Sequence, residues 1–272
     1  MHMGKVKVVN AETFKLRSKL LHRDINLSIF YPSAYVELNE MSLLLINDGQ
    51  DLGVMDFEDI LADLYIRGAI APLFCVGIDC GMDRRNEYGT AKFLDYKGRG
   101  KKSYAYQRFI FEELIPFIRK QYRVPSFREK SFCGFSLGGL SALDTVWNHP
   151  EEFKIVGVFS GSLWWRSLGQ DDPDFDESKD RIMHAQIRDG GYYPWLKFFF
   201  ETGTQDETAD RNNNGIIDSI DDTISLMEEL VMKGYDPDKD IRYLELKDGK
   251  HDVATWGRAF PEFLKWGWGL ID

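Results

Sequence analysis

A serine framed by glycines is the first pattern that could do chemistry: Gly134-Phe135-Ser136-Leu137-Gly138, a G-x-S-x-G. Glu129–Cys133 before it reads as a buried strand, and Gly139–Trp147 after it carries helix formers with apolar spacing. A strand, a tight turn holding Ser, then a helix is the setting of a nucleophile elbow. In so sharp a turn the residues two before and two after the serine nearly touch, and only glycine leaves room. Ser136 would then project at the helix N-terminus, where the Leu137 N–H and the positive end of the helix dipole can face a developing oxyanion. The same five residues also fit a plain Gly/Ser turn opening a helix, so partners elsewhere must decide.

A serine hydroxyl is a poor nucleophile until a base accepts its proton, and that base needs an orienting acid. On strand–turn–helix scaffolds the three follow in the order Ser, Asp/Glu, His. Of the histidines His2, His22, His149, His184 and His251, only His251 follows both the elbow and the later strand expected to deliver the acid. It sits in Asp248-Gly249-Lys250-His251-Asp252, between a final strand and a closing helix. The loop Gly203-Thr204-Gln205-Asp206-Glu207 supplies two candidate acids, Asp206 and Glu207. Asp252 adjoins the base but suits the N-cap of the last helix. A second oxyanion donor is expected after the Ser42–Ile46 strand, in Asn47-Asp48-Gly49-Gln50, with the Gln50 backbone N–H preferred.

The elements that must position these groups alternate along the chain. Val6–Val9, Thr13–Arg17 and Ile25–Tyr31 read as short strands, and Ser42–Ile46 as a strand covered on both faces. A helical pattern over 56–67 precedes a buried strand at Ala71–Asp79. Residues 81–102 read as loop, Ser103–Tyr122 as a long amphipathic helix kinked by Pro116, and Ile155–Ser160 as the strand after the elbow helix. An acidic surface loop over 170–180, a strand at Trp195–Glu201, a helix at Asp222–Met232, a strand at Ile241–Lys247 and a helix at Val253–Trp268 complete the order. Strand and helix alternating from residue 42 onward, after an antiparallel start, predict one doubly wound α/β domain over residues 1–272. Such sheets bind ligands beyond the carboxyl ends of their strands, where every candidate above falls.

Composition narrows the partners. The formal charge of −10 argues against nucleic-acid binding through a general basic surface. Cys75, Cys80 and Cys133 sit in or beside apolar runs and show no zinc spacing, so buried thiols are expected. No apolar stretch reaches membrane-spanning length and no signal-peptide core is present, which predicts a cytoplasmic location unless a leader has been trimmed. The expected partner is a small-molecule substrate, and oligomeric state is left open.

Together these segments resemble the esterase D-like branch of the α/β-hydrolases, which includes S-formylglutathione hydrolases, feruloyl esterases, mycolyltransferases and enterobactin-type siderophore esterases. The resemblance rests on Phe14-Lys15 through Tyr31-Pro32-Ser33-Ala34-Tyr35, Leu45–Gln50, Arg84–Tyr88, Glu112–Ile118, Gly134–Gly139, Ser160-Gly161-Ser162-Leu163-Trp164-Trp165, Gly203–Asp206 and Lys250–Asp252. It implies a doubly wound, mostly parallel sheet of about eight strands with an antiparallel N-terminal part. It also implies Asp206, rather than Glu207, as the acid. The reaction expected is ester hydrolysis through an acyl-enzyme on Ser136, with His251 as base. Trp164, Trp165, Arg84, Tyr88, and more remotely Arg85 and Arg166, become candidates to line the substrate pocket.

One segment departs from that family. Asp210-Arg211-Asn212-Asn213-Asn214-Gly215-Ile216-Ile217-Asp218-Ser219-Ile220-Asp221 fits a twelve-residue calcium loop and resembles those of dockerin modules. Asp210, Asn212, Asn214, Asp218 and Asp221 would supply side-chain oxygens, Ile216 a backbone carbonyl, and Gly215 the sharp turn. The expectation is a structural Ca²⁺, inserted at about 208–222, pinning the segment that presents the acid. No organic cofactor is implied. Two other readings share these residues: acyl transfer from the same acyl-enzyme to an alcohol, and a silent, calcium-stabilised binding protein on the same fold.

Overall fold

The computed structural model describes residues 7–34 and 37–270. Val6, at the start of the expected first strand, and Tyr35, at the end of the Tyr31–Tyr35 segment, lie outside the described residues.

The uninterrupted apolar run Ser42–Asn47 forms a strand buried at every position, because both of its faces are covered. It is β3 of a single sheet whose other strands are β1 (Val9–Arg17), β2 (Asp24–Pro32), β4 (Leu73–Ile78), β5 (Glu129–Phe135), β6 (Ile155–Phe159), β7 (Lys197–Gln205) and β8 (Ile241–Lys250). Across the sheet the order is β1-β2-β4-β3-β5-β6-β7-β8. β1 and β2 are antiparallel to their neighbours, and β3 to β8 run parallel. The two short strands expected at the N-terminus are one: Asn10-Ala11-Glu12 stays in register with Tyr31-Phe30-Ile29. Cross-strand pairing there overrides weak local propensity.

Nine α-helical segments accompany the strands among the described residues: α1 (Phe57–Ile66), α2 (Arg84–Glu87), α3 (Ser103–Phe109), α4 (Ile115–Tyr122), α5 (Leu137–Asn148), α6 (Glu177–Asp180), α7 (Ile182–Asp189), α8 (Asp218–Lys233) and α9 (Val253–Trp268). Alternate residues of β3 divide between two cores. Leu43 and Leu45 pack with α3, α4, α5, α7 and α8, whereas Leu44 and Ile46 pack with α1 and α9. The fold is therefore the expected α/β-hydrolase sandwich. None of its helices is long and apolar enough to cross a membrane among the described residues.

Three local differences from the sequence reading have physical causes. α2 and α6 are single turns inside segments that carry too few periodic positions to read as helix; α6 is capped by the Asp176 carboxylate, which accepts the Ser178 N–H at 2.9 Å. α8 begins at Asp218, four residues ahead of Asp222, because its first turn is polar and hides in the Asn/Asp-rich loop. The long helix expected at Ser103–Tyr122 is two helices joined by a π turn, Ile110–Leu114, in which the Ile115 N–H donates to the Ile110 carbonyl. The wider turn sits immediately before Pro116, whose ring would crowd a carbonyl of a regular helix and which has no N–H to donate.

Candidate active site

The elbow forms where β5 ends and α5 begins. Ser136 occupies φ 54°, ψ −121°, a strained region for a residue with a Cβ. A Cβ added to Gly134 would stand 2.5 Å from the carbonyl group of Gly138, so the two glycines do touch across the turn. The strained backbone is held on three sides. The Ser136 N–H donates to the Phe159 carbonyl of β6 at 2.8 Å, while the Ser136 carbonyl accepts from Ser162 at 3.1 Å and from Gly139 and Leu140 of α5 at 3.1 and 3.2 Å. Leu137 is the first residue of α5, so its N–H belongs to the open end of the helix. The Ser136 and Ser162 hydroxyl oxygens are 3.4 Å apart.

Beside the elbow, β3 ends in Asn47 and Asp48. Asp48 adopts a left-handed conformation (φ 61°), which turns the chain into Gly49-Gln50-Asp51. The Gln50 side-chain oxygen accepts the Cys80 N–H at 3.0 Å, fixing the loop to the end of β4. Arg84 of α2 forks onto both carboxylate oxygens of Asp48 (2.7 and 2.6 Å) and also donates to the Phe135 carbonyl at 3.2 Å. One guanidinium thus ties the Asp48–Gln50 loop, α2 and the strand before Ser136 together. The Asp48 N–H donates to the Tyr88 hydroxyl (3.2 Å). Asn47 completes the arrangement: it donates to the Gly138 carbonyl at 2.8 Å and accepts from the Tyr106 hydroxyl at 2.5 Å.

Asp206 follows β7 and His251 follows β8, so both lie at the carboxyl edge of the sheet where Ser136 stands. Burial raises the proton affinity of the Asp206 carboxyl, and the Ser160 hydroxyl, the Gly203 backbone and the facing His251 draw it back. Burial likewise lowers His251, Asp206 opposes that, and the Arg84 cation adds to it. His251 keeps much of its surface open to solvent, yet enough protein surrounds the imidazole to disfavour its cation. Its ring meets Trp256 edge-on, with centroids 5.4 Å apart. The Asp206 carboxylate makes no hydrogen bond to His251, and Ser136 is hydrogen-bonded to Ser162 rather than to His251. The fold brings all three expected groups to the same carboxyl edge of the sheet, with no hydrogen bond between any two of them. Asp252 caps α9 as expected, accepting the Thr255 N–H at 2.9 Å.

The expected wall residues separate into two kinds. Tyr88 and Trp165 are fully buried and act as packing: the Trp165 ring lies against Gly89 and Gly100, both in left-handed conformations. Trp164 is half-buried, with the Arg99 guanidinium 5.0 Å over its ring and Arg99 held by buried Asp95. Arg84 serves the clamp just described. Grooves of about 540 Å³ between α5 and α7 and about 490 Å³ beside α8 and β8 are lined by neither Ser136, Asp206 nor His251. The clamp itself escaped the sequence reading, because an Asp and an Arg 36 residues apart carry no local signal.

In the loop expected to bind calcium, Asn212 and Asn214 both reach Asp221 (2.8 and 2.9 Å), and the Asp210 carboxylate accepts the N–H groups of Asn214 and Gly215 at 3.1 and 2.9 Å. Four of the six expected ligands therefore converge. Asp218 instead accepts the Arg211 N–H at 2.8 Å and pairs with its guanidinium at 3.2 Å. Among the described residues no group of three or more His, Cys, Asp or Glu is arranged to hold a metal ion. Arg211 continues to Asp222 (2.7 Å), which Arg181 also holds at 3.1 Å, and pairs with Glu177, so the loop is anchored to α6 and α8 by charge.

Comparison with known proteins agrees with this architecture. A curated relative, the uncharacterized protein YjcH of Bacillus subtilis (strain 168), is 26% identical over 259 residues, covering 92% of this chain and 94% of that protein. The iron(III) enterobactin esterase of Dickeya dadantii (strain 3937) is 28% identical over 137 residues, covering 49% of this chain and 28% of its own length. Among solved structures, the enterobactin esterase FES of Shigella flexneri superimposes with a TM-score of 0.68 at 20% identity over 94% of this chain. This chain spans 58% of that enzyme's length. A ferulic acid esterase superimposes at 0.66 with 19% identity, covering 94% of this chain and 96% of its own. The family model described as Putative esterase matches residues 18–266, and the chain belongs to that family.

Proposed function

We propose that this chain hydrolyses carboxylic esters, with Ser136 as nucleophile, His251 as general base and Asp206 as the acid that orients it. The observation that carries the proposal is the strained Ser136 backbone at the β5–α5 turn, held by β6, Ser162 and α5 at the same carboxyl edge of the sheet from which Asp206 and His251 follow β7 and β8. Serine attack on the acyl carbon passes its proton to the imidazole, which burial and Arg84 keep neutral and ready to accept it. The Leu137 and Gln50 N–H groups would receive the oxyanion, held in place by the Arg84–Asp48 clamp. His251 returns the proton to the leaving alcohol, then activates the water that releases the acid.

Because the structural relatives include an enterobactin esterase and a ferulic acid esterase, aryl and catecholate esters are the first substrates to try. Trp164 under the Arg99 guanidinium offers a flat face of that kind. Calcium, if held by Asp210, Asn212, Asn214, the Ile216 carbonyl, Asp218 and Asp221, would supply structural charge only, and Asp218 would have to share itself with Arg211. A panel of acetyl, feruloyl and catecholate-trilactone esters, with Ser136→Ala as the blank and an added acceptor alcohol, tests the proposal. Hydrolysis by the wild type and none by the variant is expected. Equal rates for the two would overturn it, and an alcohol-ester product would replace hydrolysis by acyl transfer.

A further inference from the structure

One buried acid at the active edge has no part in the steps above. Glu201 stands on β7 five positions before Asp206, in register with Phe159 and Leu244, and is fully buried. Its backbone carbonyl accepts the Ser160 N–H at 2.8 Å, and its Oε2 lies 3.4 Å from the Ser160 hydroxyl. Ser160 itself is held in a left-handed conformation (φ 45°) and accepts the Trp256 indole N–H at 3.0 Å. That indole is the ring His251 leans on. Glu201, Ser160 and Trp256 therefore form a continuous floor beneath the Asp206–His251 pair.

The count of donors is what matters. Of the four carboxylate oxygens of Glu201 and Asp206, three are buried and make no close hydrogen bond, Glu201 Oε1 and both oxygens of Asp206, and the Ser160 hydroxyl, which lies near both carboxylates, has a single proton to give. Two neighbouring buried carboxylates with so few donors cannot both be anions, since each charge would lack both solvent and partner. The other groups facing them do not change this. Arg258 of α9 acts on Glu201 but is occupied by Asp248 (3.0 and 2.7 Å), Tyr243 of β8 is hydrogen-bonded to Thr202, Asp252 adds a further negative charge beside Asp206, and His251 is the cation-forming group that faces Asp206.

Resting on the assignment of Asp206 as the acid, we propose that Glu201 holds the one proton this carboxylate pair requires and is a positioning residue for the reaction. Kept neutral, it lets Asp206 be the single anion that stabilises the imidazolium of His251. Its chemistry agrees with its place: burial, then the nearby Asp206 charge, raise its pKa to about 8. Above that value a second buried charge would repel Asp206 and loosen the floor under Trp256.

The test is the pH profile of kcat/KM between pH 6 and 10 for wild type and Glu201→Gln, with Ser136→Ala as the blank. A proton lost near 8 makes the wild-type value fall about tenfold between pH 7 and pH 9, a fall absent from the variant. The same alkaline limb in both proteins would overturn the proposal. A second measurement does not depend on the variant folding or on the catalytic assignment. The infrared carbonyl band of a protonated carboxyl, followed on wild type and on Ser136→Ala, should persist through pH 7 and disappear near pH 8 to 9. Its absence at pH 7 would overturn the proposal even if Ser136 proves to be the nucleophile. Its presence in an enzyme indifferent to Ser136→Ala would instead overturn the catalytic reading alone.

Discussion

Replacing Arg84 with Met isolates the clamp on the Asp48–Gln50 loop. The Asp48 side chain is 2% exposed and Arg84 30% exposed, so the substitution strands a carboxylate in the interior while removing a partly wet cation. Breaking a fully buried pair by deleting one partner costs about 3–5 kcal/mol, and the exposed edge of Arg84 lowers that to about 2–3 kcal/mol. For a chain of this size the melting temperature should fall by about 4–6 °C in a circular-dichroism melt. The loss should be larger in kcat than in KM, because the loop meets the oxyanion and not the resting ester. Arg84 also lowers the proton affinity of His251, so its removal should move the acidic limb of kcat/KM to higher pH. Arg84→Lys keeps the charge but not the fork, and should recover the limb position more fully than the stability. The double variant Asp48→Asn with Arg84→Met should be less damaged than the sum of the singles, by about 1–2 kcal/mol. A single Arg84→Met variant that melts within about 1 °C of wild type, or strict additivity in the cycle, would refute the clamp.

Three further outcomes follow from the site. Asp206→Asn should lower kcat by about 10³–10⁴-fold, as expected when a base loses its orienting acid, while Glu207→Gln stays within about threefold; the reverse order would transfer the role to Glu207. In Gly138→Ala the new methyl would stand 2.5 Å from the Asp48 carboxylate and 3.1 Å from Asn47, so a loss of about 2–3 kcal/mol by urea unfolding and about tenfold or more in kcat/KM is expected; a fully active variant would show the elbow to be looser than drawn. Chelation with EGTA should lower the melting temperature by about 5 °C, reversibly with added Ca²⁺, if the 210–221 loop binds the ion at a hundredfold excess over its Kd. An unchanged melt would assign that loop's cohesion to Arg211 and the asparagine contacts alone.

The parts of the molecule legible in the sequence are those whose signals are local. The G-x-S-x-G turn carries its own steric demand, and the uninterrupted run Ser42–Ile46 reports a strand with two covered faces. α9 carries its periodicity in sixteen consecutive residues directly after its N-cap Asp252, and its bounds agree with the expected Val253–Trp268. What stayed hidden depends on partners distant in the chain. Arg84 reads as one more surface cation until Asp48 is seen beneath it, and Glu201 reads as the polar end of a strand until Ser160 and Asp206 close over it. Tyr88 and Trp165 look like pocket aromatics by type, yet neighbours supplied by other loops bury them completely.

The π turn before Pro116 sets which side of the long helix meets the sheet at each of its ends. Tyr106 and Tyr122 lie sixteen residues apart, which in an unbroken α-helix would set them about 160° from one another around the axis. Both nevertheless serve the sheet, Tyr106 on Asn47 of β3, and Tyr122 with its ring 4.8 Å from Phe74 of β4 and its hydroxyl on Glu12 of β1. The extra residue absorbed by the π turn closes most of that gap, to about 60°. Ile110–Leu114 thus takes up one residue more than a regular helix would hold between the two tyrosines. Deleting one residue of the turn together with a Pro116→Ala change should leave both tyrosines on the sheet. One residue added to a regular stretch of the helix would turn Tyr122 a further angle of about 100° and carry it off Phe74 and Glu12.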